Sequence, residues 1–155
     1  MSSPAFSESQ TPASHRYFST LCFNRTWDLM EKARRTPEEE HQMEWTCLAS
    51  LWHWSQREDC TPQNLAIGHW QASRVYVLLH QAENAMRHAE LCLKLSQDLS
   101  PFYLGYAHEA QARAALLRGD RVGMSWHRSE ARECLARVED TEERALLEKD
   151  LETLQ

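Results

Sequence analysis

Arg74 and Arg113 stand 39 residues apart, and the helical face around each one repeats. At 3.6 residues per turn, positions 70, 74 and 77 share a face. That face carries Trp70, Arg74 and Val77, and one repeat later it carries Glu109, Arg113 and Leu116. Two guanidiniums on adjacent helices form a receptor for a carboxylate or phosphate, because each planar fork meets two oxygens at once. Trp70 would then be an apolar wall and Glu109 a flanking carboxylate. In the competing reading, Glu109 pairs with one arginine, Trp70 covers a helix seam, and nothing is bound. The candidate ligand-binding set is therefore Trp70, Arg74, Glu109 and Arg113, with no catalytic residue.

Other chemistry finds less support. His53, His69, His88, His108 and His127 fall in helical patterns, but no two histidines are four residues apart, the spacing of helical zinc ligands. His69 and His108 occupy equivalent repeat positions, which suggests a packing role between hairpins, each neutral ring donating one hydrogen bond. No metal or cofactor is expected. With four glycines in the chain there is no phosphate cradle or nucleophile elbow. The carboxylate clusters Glu38-Glu39-Glu40 and Glu142-Glu143 open helices, where capping explains them. Five cysteines at wide spacings, without a Cys-x-x-Cys, indicate a reducing compartment, with Cys60 in a loop as the reactive thiol.

The elements that must position these residues are delimited by proline. Thr36-Pro37, Thr61-Pro62 and Ser100-Pro101 each place a hydroxyl at the N-cap and proline at the first helical position. Glu39 completes a capping box with Thr36, and Asp140 with Glu143 repeats the pattern. Helices are thus expected to start at 37, 62, 101 and 141. Gly119-Asp120 supplies a stop and a new start. The same offset places a break at His80-Gln81, although neither residue breaks helices strongly. A first helix is expected from about Arg16 to Arg35, with Arg34-Arg35 on its C-terminal dipole. The result is seven helices and no strand.

The repeat itself runs past the prolines. Leu65, His69, Arg74, Leu78 and His88 recur as Leu104, His108, Arg113, Leu117 and His127, five identities over positions 65–98. Average residue usage gives roughly two. Helical patterning at such a period signals stacked helix pairs. With Tyr76, a turn, then Ala85 and Ala89, the segment 65–98 resembles a tetratricopeptide repeat, and 104–138 resembles it through Ala112, Gly119 and Ala131. Ala115 and Arg128 depart from that pattern, and the unit is five residues longer than the usual 34. The resemblance implies an all-α fold of antiparallel hairpins stacked as a short tetratricopeptide-like solenoid. A capping helix would follow over 141–155, with Leu146, Leu147, Leu151 and Leu154 as its apolar stripe. It also implies a groove that receives a peptide, as some members clamp a C-terminal carboxylate.

Composition narrows the partners. A net charge of −6 disfavours nucleic acid. No apolar run approaches the roughly 20 residues that span a bilayer. Residues 1–14 read as a disordered leader and 15–155 as a single helical domain, in a cytoplasmic protein. Six tryptophans are expected to pack mainly in the core, with Trp126 the one left exposed. The leading expectation is a non-enzymatic adaptor that binds a protein or peptide through a carboxylate. The alternatives are a homodimeric self-association module and a histidine-based, metal-dependent enzyme.

Overall fold

The computed structural model describes residues 11–154. Seven helices occur among them: α1 (Thr11–Met30), α2 (Pro37–Ser55), α3 (Pro62–Leu78), α4 (Ala82–Ser96), α5 (Pro101–Arg118), α6 (Arg121–Leu135) and α7 (Thr141–Glu152). No described residue is in a strand. Of the leader expected over 1–14, residues 1–10 lie outside the described part, and Thr11–Ser14 open α1. The chain divides into two compact units, Met1–Thr61 and Pro62–Gln155.

In the first unit α1 pairs with α2 over a seam of small polar groups. Ser50 Oγ donates to the Ser19 carbonyl at 2.8 Å, and Thr26 and Thr46 hydroxyls lie 2.9 Å apart. Short side chains that bond to backbone can sit at a close crossing without leaving a polar atom unpaired. Leu29, Met43 and Cys47 fill the rest of the seam. The first helix ends at Met30, five residues before the expected limit. Arg35 folds back to donate to the carbonyls of Leu29 at 3.2 Å and Met30 at 3.3 Å, satisfying orphan groups of the last turn. The Thr36–Glu39 capping box forms in both directions, at 3.0 and 3.3 Å.

In the second unit α5 is central, packed against α3, α4, α6 and α7. Ala107, Ala110, Ala112, Ala114 and Ala115 are all buried, so α5 is covered on every side and its small residues let neighbours approach. At Gly105 a Cβ would stand 2.6 Å from Leu147 Cδ2 and 3.2 Å from Cys134 Cβ, a close approach to α7 and α6. Leu147, Leu151 and Leu154 seal the core from α7. Leu146, expected in that stripe, is 55% exposed, one residue out of phase. Ser100 occupies the N-cap of α5, but its hydroxyl makes no capping bond.

The 39-residue offset is exact at three of the four boundaries of the two hairpins: Pro62 with Pro101, Ala82 with Arg121, and Ser96 with Leu135. It also extends to backbone conformation. Gly119 is left-handed at φ 82°, and its equivalent His80 is left-handed at φ 56°. Both close a Schellman motif: Gln81 N–H donates to the Tyr76 carbonyl and Asp120 N–H to Ala115, each at 2.9 Å. The hairpin geometry thus imposes on His80 a conformation that costs an L-residue on the order of 1 kcal/mol. His80→Gly is expected to raise stability by roughly 0.5–1 kcal/mol, read as a higher urea midpoint at unchanged slope. No gain would mean that the left-handed turn is not strained.

Candidate functional site

The four residues expected to form a site converge on one carboxylate. Glu109, buried in the middle of α5, is 0% exposed. Arg74 Nη1 from α3 donates to its Oε1 at 3.0 Å, and Arg113 Nε, one turn along α5, donates to the same oxygen at 2.6 Å. Trp70 Nε1 donates to Oε2 at 3.1 Å. The 39-residue offset explains the meeting. Trp70 and Glu109 hold equivalent positions on adjacent helices, so their side chains enter the same interhelical space.

The arginines are therefore neighbours, but Glu109 lies between them as an internal counter-ion. A buried carboxylate is tolerated only when its lone pairs are filled by strong donors, and three donors meet that demand. Glu109 meets two guanidiniums, and the second carboxylate nearby is that of Asp150, which accepts from Tyr106 at 3.0 Å.

The two arginines differ in what they have left to offer. Arg113 is 15% exposed, and its Nη2 donates to the Asp150 carbonyl at 3.2 Å and to Thr153 Oγ1 at 2.8 Å, tying α7 to α5. Arg74 is 23% exposed and meets Glu109 through Nη1. Its guanidinium carbon lies 5.6 Å from the Trp70 ring centre, a cation–π contact. Tyr106 stands edge-on to Trp70 at 5.3 Å and donates to Asp150 Oδ2 at 3.0 Å. Burial and the adjacent Asp150 carboxylate raise its phenol above the usual range, so it remains a donor.

Tyr106, Asp150 and Thr153 were not anticipated as members of this cluster. Asp150 and Thr153 sit in and just after α7, which has no counterpart in the repeat, so no offset could bring them to notice. Surface hollows open elsewhere. One is lined by Thr11, Pro12, His15, Arg16, Gln56, Arg57 and Glu58, and another by residues between Ala136 and Arg144.

The helical histidines pair within hairpins rather than between them. His69 Nδ1 lies 2.9 Å from His88 Nδ1, joining α3 to α4, and His108 Nδ1 lies 3.1 Å from His127 Nδ1, joining α5 to α6. The repeat signalled the pairs, since both histidines recur, but not which helices they join. Cys60 also departs from expectation: it is half-buried, and burial raises its thiol pKa, which lowers its nucleophilicity at neutral pH. Cys47 and Cys92 are pushed further by burial, to about 12.

Tryptophan placement differs too. Trp126 is 55% exposed as expected, but Trp45 and Trp52 are also exposed, on a stripe of α2 shared with Leu48. Comparison of the chain with protein-family models, curated proteins and solved structures gives no match.

Proposed function

We infer that the protein is a non-enzymatic binding module whose second unit presents Arg74 and Trp70 to an anionic group, such as the C-terminal carboxylate of a peptide. The observation that carries this reading is the asymmetry between the arginines. Arg113 spends its donors on Glu109 and α7, whereas Arg74 is held by Glu109 at one nitrogen and is partly open to solvent. Buried Glu109 and the Trp70 face restrict the Arg74 rotamer, so little ordering entropy remains to be lost on binding. Arg113 and Glu109 then act as positioning residues, and Trp70 and Arg74 make the contact.

The repeat of helix bounds and turn conformation supports a tetratricopeptide-like stacking of hairpins in this unit. No described helix is long and apolar enough to cross a membrane. The five unpaired thiols suit a cytoplasmic setting.

The test is retention of fluorescent peptides with free C-terminal carboxylates by wild type and by Arg74→Ala. Loss of an anchoring charged contact is expected to weaken binding at least tenfold, about 1.4 kcal/mol. Equal retention by the folded variant would remove Arg74 from the site.

A second reading, homodimerisation, is favoured by the first unit. Tyr17, Phe18 and Leu21 on α1 and Trp45, Leu48 and Trp52 on α2 are exposed apolar residues in one hairpin, a concentration that marks contact surfaces. Sedimentation separates the two: a stable dimer abolished by Trp45→Ser supports self-association, and a monomer at tens of micromolar excludes it.

A further inference from the structure

Every hairpin among the described residues carries the same contact. His15 Nδ1 of α1 lies 2.8 Å from His53 Nδ1 of α2, and the His69–His88 and His108–His127 pairs repeat it at 2.9 and 3.1 Å. In each, one imidazole comes from the first helix and one from the second. An aromatic ring covers the pair: Trp52 lies 4.7 Å from His53, Tyr76 stacks on His88 at 5.4 Å, and Trp126 lies 4.6 Å from His127. The Nδ1 atoms of each pair stand at hydrogen-bond distance, so each pair shares a proton.

Two Nδ1 atoms at this separation allow one arrangement of protons. One ring is the Nδ1–H tautomer and donates, and the other is the Nε2–H tautomer and accepts. A first additional proton enters at the donor's Nε2. This leaves the bond in place and strengthens it, because a charged donor now faces a neutral acceptor. A second proton has only the acceptor's Nδ1 to occupy. It puts two N–H groups and two positive charges face to face.

We propose that the three histidine pairs are proton-operated latches. Each clamps its hairpin while it holds at most one added proton, and each releases when it takes a second. The second histidine of every pair is the one its partner disfavours. Burial lowers His53, His88 and His127, and the neighbouring imidazole adds to this from His15, His69 and His108 respectively.

Other charges tune the latches separately. Arg87 of α4 lowers both rings of the middle pair, and His88 falls to about 4. Glu130 of α6 and Asp120 at its N-cap oppose the shift at His127. Arg16, Arg57 and Glu58 line the hollow beside His15. Folding therefore holds the second histidines below their unfolded value of 6.5, so the unfolded chain binds more protons. The latch contribution is complete above pH 6.5 and is lost as pH falls through the lowered values, about 4 for His88. The middle hairpin, with Arg87 beside it, needs the strongest acid to accept its second proton.

The experiment uses the full chain with His53→Asn, His88→Asn and His127→Asn together, since an asparagine side-chain carbonyl can accept the same bond without titrating. Urea unfolding is followed at half-unit steps from pH 8 to 4.5. Wild type is expected to take up more protons on unfolding between pH 6.5 and 4.5 than the variant, with one per pair as the ceiling, read as a steeper fall of stability with falling pH. Equal slopes overturn the proposal. Imidazole nitrogen spectra of wild type at pH 7 give a reading independent of any substitution. Each pair is expected to show one Nδ1–H and one Nε2–H ring, and finding the same tautomer in both members overturns the latch.

Discussion

Replacing Glu109 with glutamine is expected to lower the unfolding free energy by about 3 kcal/mol, at the low end for removing one partner of a buried ion pair. The carboxylate is fully buried and accepts from Arg74, Arg113 and Trp70. Glutamine keeps one carbonyl oxygen but supplies an NH₂ where the second oxygen stood. One donor, from Trp70 or from the arginines, then faces another donor, and both guanidiniums lose their counter-ion. Each arginine keeps some contact with water, which is why the cost stays near the low end. The measurement is the urea midpoint and slope, with near-ultraviolet dichroism reporting the environment of Trp70. A change below about 1 kcal/mol, the size of an ordinary surface effect, would show that Glu109 does not hold the cluster together.

Leu147→Ala is expected to cost between about 2 and 5 kcal/mol, the range for truncating a core leucine, because the cavity left behind closes only partly. Leu147 is 0% exposed and sits over Gly105, where the backbone of α5 leaves room for it. The loss reaches further than the cavity. Helix α7 supplies the Asp150 carbonyl, and Thr153 follows it, so Arg113 keeps its Nη2 contacts only while α7 is docked. Removing Leu147 should therefore also loosen Arg113 and weaken the support it gives Glu109. Leu146→Ala is the control, with an expected change within about 0.5 kcal/mol, since that side chain lies in solvent. Similar effects from the two variants would mean that α7 does not dock on α5 through its Leu147 face.

The parts of this fold that were legible in the sequence are those that local physics determines. Proline at the first helical position after a hydroxyl residue marked the starts of α2, α3 and α5, and Asp140 with Glu143 marked that of α7, because those residues act on the backbone next to them. The break at His80 was visible only through its offset from Gly119. No local preference puts a histidine at positive φ; the hairpin's closing hydrogen bonds do.

The candidate site was legible by position and not by balance. Periodicity placed Trp70, Arg74, Glu109 and Arg113 together. It did not show that Glu109 would be buried and bonded to both arginines, because burial depends on the helices that surround α5. Leu146 and Trp45 make the same point from the other side, as large apolar residues left in solvent by a helix rotation that no pattern specified.

The most direct measurement of the central claim follows the Arg74 Nε–H and Trp70 Nε1–H resonances while a peptide with a free C-terminal carboxylate is titrated in, beside the same peptide amidated. Arg74 as the partly open, pre-oriented anion contact predicts that both resonances move and saturate with the carboxylate form and stay in place with the amide. Identical responses to the two peptides, or shifts that spare Arg74, would contradict it.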